Sequence, residues 1–186
     1  MTAQERYAAP RFSRVWDMPN ADTFDVPSIG CFVKRYLLNA RVSVDPFARN
    51  KRWTTYTNDL NPATAADSHE DAGVFLSRLA RQGVVADLVI IDPPYSPRQV
   101  KECYDSIGIG MTQDDALLGL VRKRVKRVIN RLVVPGSVVL HFGWNTVGMG
   151  KGWHLLEVML VCHGSDHNDT ICMAEVKLAD PQGSLL

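Results

Sequence analysis

Residues 87–91, Asp-Leu-Val-Ile-Ile, run directly into Asp92-Pro93-Pro94-Tyr95. A short, continuous β-branched run has the composition of a strand buried on both faces. Such strands belong to parallel sheets that are covered by helices on each side. Two consecutive prolines then end the strand rigidly, because each fixes its own φ and restricts the residue before it. A chain with this segment is expected to build a layered α/β domain around it.

The rest of the pattern agrees. Pro27 can open a helix in which Ile29, Phe32, Val33, Tyr36 and Leu37 recur at helical spacing. Arg41–Val44 reads as a short strand ended by Asp45-Pro46, and Trp53–Thr57 as a second ended by Asn58-Asp59. Asp71–Arg81 reads as a helix. From Asp114 to Val133 the residues Leu117, Leu118, Val121, Val125, Val128, Ile129 and Leu132 recur at three and four, and Pro135-Gly136 should stop that helix. Ser137–Phe142, Trp153–Val161 and Thr170–Val176 read as strands, the last two joined by a polar turn around Gly164-Ser165-Asp166. Alternating strands and helices followed by two successive strands predict a Rossmann-like fold. Its sheet is mostly parallel, with helices on both faces and a C-terminal antiparallel hairpin. One domain over 24–180 is expected behind a polar N-terminal arm, 1–23. Such sheets bind ligands outside the carboxyl ends of their strands. Asp45, Asp59, Asp92 and Phe142–Trp144 all fall there.

Composition narrows the classes. With 46% hydrophobic and 22% charged residues the chain is an ordinary globular one. No apolar run approaches the roughly 20 residues that cross a bilayer, and no signal peptide pattern follows the early arginines. The four cysteines contain no C-x-x-C pair, which suits a reduced, cytoplasmic protein. Cys162, His163, His167 and Cys172 match no common zinc spacing, so no metal is expected. A net charge of +1 argues against an avid nonspecific nucleic-acid binder. Yet Arg122, Lys123, Arg124, Lys126, Arg127 and Arg131 crowd one helix. They read equally as a solvated face or as a phosphate-contacting one.

Asp92-Pro93-Pro94-Tyr95 suits chemistry on an amine attached to an aromatic base. The adenine amine is a poor nucleophile, because its lone pair is delocalised into the ring. Two acceptors at its two N–H groups favour the sp3 geometry needed for attack. The Asp92 carboxylate and a carbonyl of the Pro93-Pro94 segment, that of Pro93 first, are the candidates, and the prolines preorganise them. Tyr95 offers a face for stacking. A base inside a duplex cannot reach such a pocket, so it must be flipped or unpaired.

Here the chain resembles the amino-methyltransferases that modify DNA, in which D-P-P-Y follows the fourth strand as the catalytic loop. Phe24-Asp25-Val26-Pro27-Ser28-Ile29-Gly30 resembles the segment of that family that contacts S-adenosylmethionine (SAM). Val44-Asp45-Pro46-Phe47 resembles the opening of its first SAM loop. Thr57-Asn58-Asp59-Leu60-Asn61-Pro62 resembles the strand exit whose acid holds the ribose. Asp71, or alternatively Asp67, matches the acid that meets the cofactor's adenine. Val139–Asn145 matches the fifth-strand exit, so Trp144 and Asn145, with Arg98 and Tyr95, are the candidate substrate contacts. The resemblance covers residues 24 to about 177 and is similar to small adenine methylases of phages and mobile elements. It implies a cytoplasmic, SAM-dependent methyltransferase acting on the N6 amine of adenine in DNA; the oligomeric state is left open, a dimer included. The expected glycine-rich turn reads Ala48-Arg49-Asn50, however. Glycines let a backbone approach its cofactor closely, and Asn50, which tolerates left-handed geometry, is the expected stand-in.

Two alternatives stay open at this point, an RNA base-amine methyltransferase and a weak or inactive relative that binds nucleic acid or a partner. Family members usually carry an added target-recognition region, whereas only 47 positions separate Asp45 from Asp92 here. Each good base-edge contact contributes about 1–3 kcal/mol of discrimination, and a core this small has few places to mount them. Methylation at a short or degenerate context is therefore expected. Single-molecule sequencing of DNA from an expressing host checks this, and a strict site of five or more bases made by the purified monomer would overturn it.

Overall fold

The computed structural model describes residues 8–108, 110 and 118–179, with side chains in the second stretch described from Lys123 onward. Seven strands form one sheet: β1 (Arg11–Trp16), β2 (Ser43–Asp45), β3 (Tyr56–Thr57), β4 (Ala86–Ile91), β5 (Val133–Gly143), β6 (Trp153–Cys162) and β7 (Thr170–Lys177). Their order is β1-β6-β7-β5-β4-β2-β3. Only the two pairings made by β7 are antiparallel. Among the described residues there are four α-helices: α1 (Pro27–Leu37), α2 (Ala72–Arg81), α3 (Pro97–Ser106) and α4 (Leu118–Leu132). The expected Rossmann-like architecture with its terminal hairpin is what the chain adopts.

Strand β4 lies at the centre, and its side chains divide by the period of two that a strand imposes. Val89 and Ile91 join α2 and α4 in one core with Phe75, Leu76, Leu79, Val125, Ile129 and Leu132. Leu88 and Ile90 join α1 in the other, with Ile29, Phe32, Val33, Leu140 and Phe142. The helix ends follow local chemistry. The Asp71 carboxylate accepts from the amides of Gly73 and Val74 at 3.0 and 3.1 Å and caps α2, and Gly83, at φ 74°, follows the other end in the left-handed region. Ser96 caps α3, whose first residue is Pro97.

Three expectations change. The expected N-terminal arm contributes β1, the edge strand, which pairs with β6 over its whole length. Its anchor is a buried acid on the neighbouring strand. Glu157 accepts from Arg11, Arg35 and the Tyr36 hydroxyl at 2.7 to 3.1 Å. The expected strand 53–57 shortens to Tyr56–Thr57, because upstream the side chains replace the ladder. The Thr55 amide donates to Ser43 Oγ at 3.0 Å and the Ser43 amide to Thr55 Oγ1 at 3.1 Å. Pro135-Gly136 do not separate helix from strand. β5 begins directly at Val133, and its register against β4 shifts between Ala86 and Leu88. Ser137 closes this irregularity, with Oγ accepting from Val134 N at 3.1 Å and donating to the Ala86 carbonyl at 2.8 Å. The expected helix residues 114–117 and the side chains of Leu118, Val121 and Arg122 lie outside the described residues.

Removing the Glu157 carboxylate leaves the Tyr36 hydroxyl without its acceptor and two arginines unpaired. Glu157→Ala is expected to cost about 1–3 kcal/mol in urea denaturation. Amide exchange should accelerate at 11–16 while β4 stays protected. Unchanged protection of β1 would show that backbone pairing alone retains it.

Candidate active site

The parallel register of β2, β4 and β5 sets three strand exits side by side, with Val44 against Val89 and Ile91 against His141. Asp45 closes β2, Asp92 follows β4, and Trp144 follows β5. Asp92 is half-buried, and the loss of water around its carboxyl pushes its pKa up to about 6, against the pull of hydrogen bonds from Tyr95 and Thr23. The Tyr95 hydroxyl donates to Asp92 Oδ1. Burial, followed by the nearby Asp92 charge, raises the Tyr95 phenol well above its ordinary value. The Tyr95 amide donates to Gln99 Oε1 at 2.6 Å, which ties the Pro-Pro-Tyr loop to α3. The Trp144 ring meets that of Tyr95 edge-on, with centroids 5.7 Å apart, and remains 40% exposed.

Asp45 is buried and its Oδ1 accepts from the Phe47 amide at 2.9 Å. Burial pushes its pKa up to about 8, and the charges of Asp92 and Asp59 add to the rise. In the turn that follows, the left-handed residue is Arg49, at φ 49°, rather than Asn50. That conformation costs about 1–2 kcal/mol for a residue with a Cβ. It is held by three contacts. The Arg49 amide donates to Asp59 Oδ2 at 3.1 Å, and Nη1 reaches the Ala21 carbonyl and Asp22 Oδ1, both at 2.6 Å. Asn50 bridges instead to the next loop, accepting from the Ala65 amide at 3.0 Å. Asp59 Oδ1 accepts from Asn61 N at 2.8 Å, so both Asp59 oxygens hold loop backbone.

The other candidates are distributed unevenly. Phe24 stacks on Trp53 and meets Phe142 edge-on, at 5.9 and 5.1 Å. Ile29 is wholly enclosed in the core. Phe47 packs half-buried against the α2/α4 core. Pro46 is buried, its carbonyl accepting from Asn58 Nδ2 at 3.2 Å. Asp71 caps α2, as above, and Asp67 accepts from Thr57 Oγ1 at 2.6 Å while pairing with Arg52. Arg98 is exposed on α3 and pairs with Glu102 one turn on, at 2.8 Å. Asn145 Oδ1 accepts from the Val147 amide at 3.1 Å in the turn beyond Trp144.

The basic residues Lys123, Arg124, Arg127 and Arg131 are exposed on α4. Lys126 turns back onto the carbonyls of Val147 and Gly148. No Cys/His metal set forms among the described residues. Both His163 ring nitrogens have partners, the Asp17 carbonyl and Thr170 Oγ1, each at 2.9 Å.

Sequence reasoning missed Thr23, whose hydroxyl meets Asp92. It also missed the pair His141–Glu175, 2.9 Å apart beneath the 144–149 loop. Burial opposes the Glu175 charge, but His141, the Met149 amide and Lys126 together hold its pKa below the ordinary value. Adjacency of Thr23 to Phe24 was a usable signal, whereas β5 and β7 residues far apart in the chain offered none.

No family profile and no curated protein matches the chain. Solved structures do. SMU.776, a putative methyltransferase complexed with SAH, superposes with a TM-score of 0.54 at 12% identity, over 78% of this chain and 48% of its own. NSun6 from Pyrococcus horikoshii with SFG gives 0.51 at 13% identity, over 78% and 50%. The putative methyltransferase yhhF from Escherichia coli gives 0.51 at 12% identity, over 94% and 92%. The chain thus has the Rossmann-like fold of these proteins and spans about half the length of the first two. No described helix is long and apolar enough to cross a membrane.

The Asp45 carboxyl ionises near 3.8 when exposed and near 8 in the folded chain. Its contribution to stability is therefore full below the lower value and is lost as pH rises through the higher one. Asp45→Asn cannot ionise and should out-melt the parent at pH 8, with the gap closing toward pH 4 in calorimetry. A gap that widens on acidification would mean Asp45 is folded as a paired anion.

Proposed function

We propose that the chain is an SAM-dependent methyltransferase acting on the exocyclic amine of a nucleic-acid base, with N6 of adenine in DNA as the favoured target. The observation that carries this reading is Asp92, a desolvated carboxyl at the exit of a central strand. It is followed by two rigid prolines and flanked by the rings of Tyr95 and Trp144. The solved methyltransferases of the same fold support the reaction class, two of them as complexes with SAH and SFG. The single domain over 24–180 belongs to this proposal.

The donor set fits the cofactor. SAM is a cation with two ribose hydroxyls. Asp45 is a buried carboxyl with another acid beside it, so a cationic ligand would relieve its desolvation. Phe24, Pro46, Phe47 and the Asp59 loop would border the adenosyl part, with Asp71 at the mouth of α2. When bound, the cofactor supplies an electrophilic methyl group.

The chain's own residues prepare the nucleophile. A lone pair of the Asp92 carboxylate, which also accepts from Tyr95 and Thr23, accepts one N–H of the amine, and the Pro93 carbonyl accepts the other. This localises the lone pair on nitrogen. After transfer the nitrogen carries a surplus proton, which Asp92 can accept because its pKa lies near 6, close to the working pH. Trp144 and Tyr95 wall the pocket and exclude water. A specific observation favours a second reading, that of a weakly catalytic relative. Arg49 stands left-handed where a glycine turn would meet the cofactor, and its contacts engage Asp59.

Calorimetric titration with SAM, then tritium transfer to DNA and to RNA, decides between the two readings. Asp92→Ala is expected to lose about 10²–10⁴-fold in transfer while SAM affinity stays largely intact. Wild-type turnover in that variant would sink the assignment. The acid limb of kcat/KM should lie near pH 6. Because the Tyr95 hydrogen bond lowers the Asp92 pKa, Tyr95→Phe should move that limb to higher pH. Tyr95→Ala should lose most activity through stacking. An unmoved limb in Tyr95→Phe would detach the hydroxyl from the acid's titration.

A further inference from the structure

Strand β1 is added to the far edge of the sheet, and its two faces are unlike. On one, Arg11 and Ser13 line an open groove of about 510 Å³ with Glu157 of β6 and with Ser28, Cys31 and Arg35 of α1. On the other, Phe12, Arg14 and Trp16 alternate along the strand beside Val158, Leu160 and Cys162 of β6. Phe12 is 71% exposed and Trp16 66%, and Met18 continues the stripe at 75%. Three large apolar side chains so exposed in seven residues are unusual for a soluble surface.

The aromatic stripe is organised. The Arg14 guanidinium lies 5.2 Å from the Trp16 ring centroid and its Nε donates to Cys162 Sγ at 3.1 Å. Among the described residues Arg14 has no carboxylate partner. Gly164 sits so close under the indole that a Cβ there would be 3.1 Å from Trp16 Cζ3. The indole is thus seated from two sides and open on the remainder.

The direction of β1 matters as much. It runs parallel to β6, which pairs antiparallel with β7, which pairs antiparallel with β5. Trp16 therefore leaves the sheet on the same rim as Asp92. Four inter-strand steps of about 4.8 Å separate β1 from β4, or roughly 19 Å along that rim. The intervening chain crosses it. Asp17 accepts from the Ser28 amide at 2.9 Å, and Thr23, six residues on, reaches Asp92.

We infer that the Phe12–Arg14–Trp16 face of β1 is a binding platform for an unpaired stretch of the nucleic-acid substrate, flanking the base at Asp92. The inference rests on the proposed methyltransferase reading for its substrate class. Aromatic rings alternating with an arginine that has no carboxylate partner among the described residues match the alternation of base faces and phosphates in a single strand. A duplex hides its base faces within the stack, so the platform selects unpaired nucleic acid. A second copy of the chain fits less well. β1 carries Arg11 and Arg14 and no acid, so a symmetric edge-to-edge contact would bring like charges together.

The test uses fluorescence anisotropy of the full chain with a labelled oligodeoxyadenylate of about 12 nucleotides, its duplex and its RNA counterpart, without SAM. The wild type should bind the single strands more tightly than the duplex. Trp16→Ala and Phe12→Ala should each weaken that binding about 5- to 100-fold, and Trp16→Phe should recover most of it. Arg14→Ala should lower the slope of log K against log salt by about 0.7. Equal or tighter binding of duplex by the wild type would overturn the inference. So would full single-strand affinity in a folded Trp16→Ala, or a dimer in light scattering that Trp16→Ala dissociates. Binding is read without methyl transfer, so failure of the platform and failure of the catalytic reading are distinguishable. Transfer to single-stranded DNA undiminished in Trp16→Ala at limiting substrate would leave the enzyme and remove the platform.

Discussion

The site depends on the desolvation of two neighbouring carboxyls. Strands β2 and β4 are buried on both faces, so they must end where the helices stop covering them; β2 closes in Asp45 and β4 runs into Asp92. Asp45 and Asp92 lose water because of the sheet that carries them, and the Asp92 charge further opposes ionisation of Asp45. A protein tolerates such a pair at a cost in stability, and the cost is recovered when a ligand brings positive charge or N–H donors. The rest of the rim serves this arrangement. The prolines after Asp92 fix the loop, Tyr95 and Thr23 hold the carboxyl, and Phe142 packs beneath with Phe24.

A second organising contact lies at the opposite edge. Glu157 has a 6% exposed side chain and draws in Arg11, Arg35 and Tyr36, so it joins β1, β6 and α1. One buried acid with several charged and hydroxyl donors is tolerable because every oxygen is satisfied. That anchor lets a short, basic edge strand remain in register while its outer face stays open. Segment 17–25 then links the anchored edge to the rim that carries Asp92.

The first loop departs from the local rule that a left-handed turn takes glycine. Arg49 is held there by Ala21, Asp22 and Asp59, which belong to two other segments. The strain is therefore borne by contacts among the residues that would surround a cofactor, the usual location for such departures.

The alternation of strands and helices, the buried strand into Asp92-Pro93-Pro94-Tyr95 and the helix caps were legible in the sequence, because period, proline geometry and side-chain capping act within a few residues. They place the acids at strand ends. What the sequence left open depended on long-range partners. A polar, arginine-bearing segment such as 11–16 becomes a strand only because β6 and Glu157 receive it. Arg49 rather than Asn50 turns left-handed because Asp22 and Asp59 arrive from elsewhere. Tyr95 turns its hydroxyl to Asp92, and Thr23 reaches the same carboxyl, only once the 3-10 turn at Thr23–Asp25 is laid across the rim. Local chemistry named the catalytic candidates, and the sheet's parallel register decided which of them lie side by side on one rim.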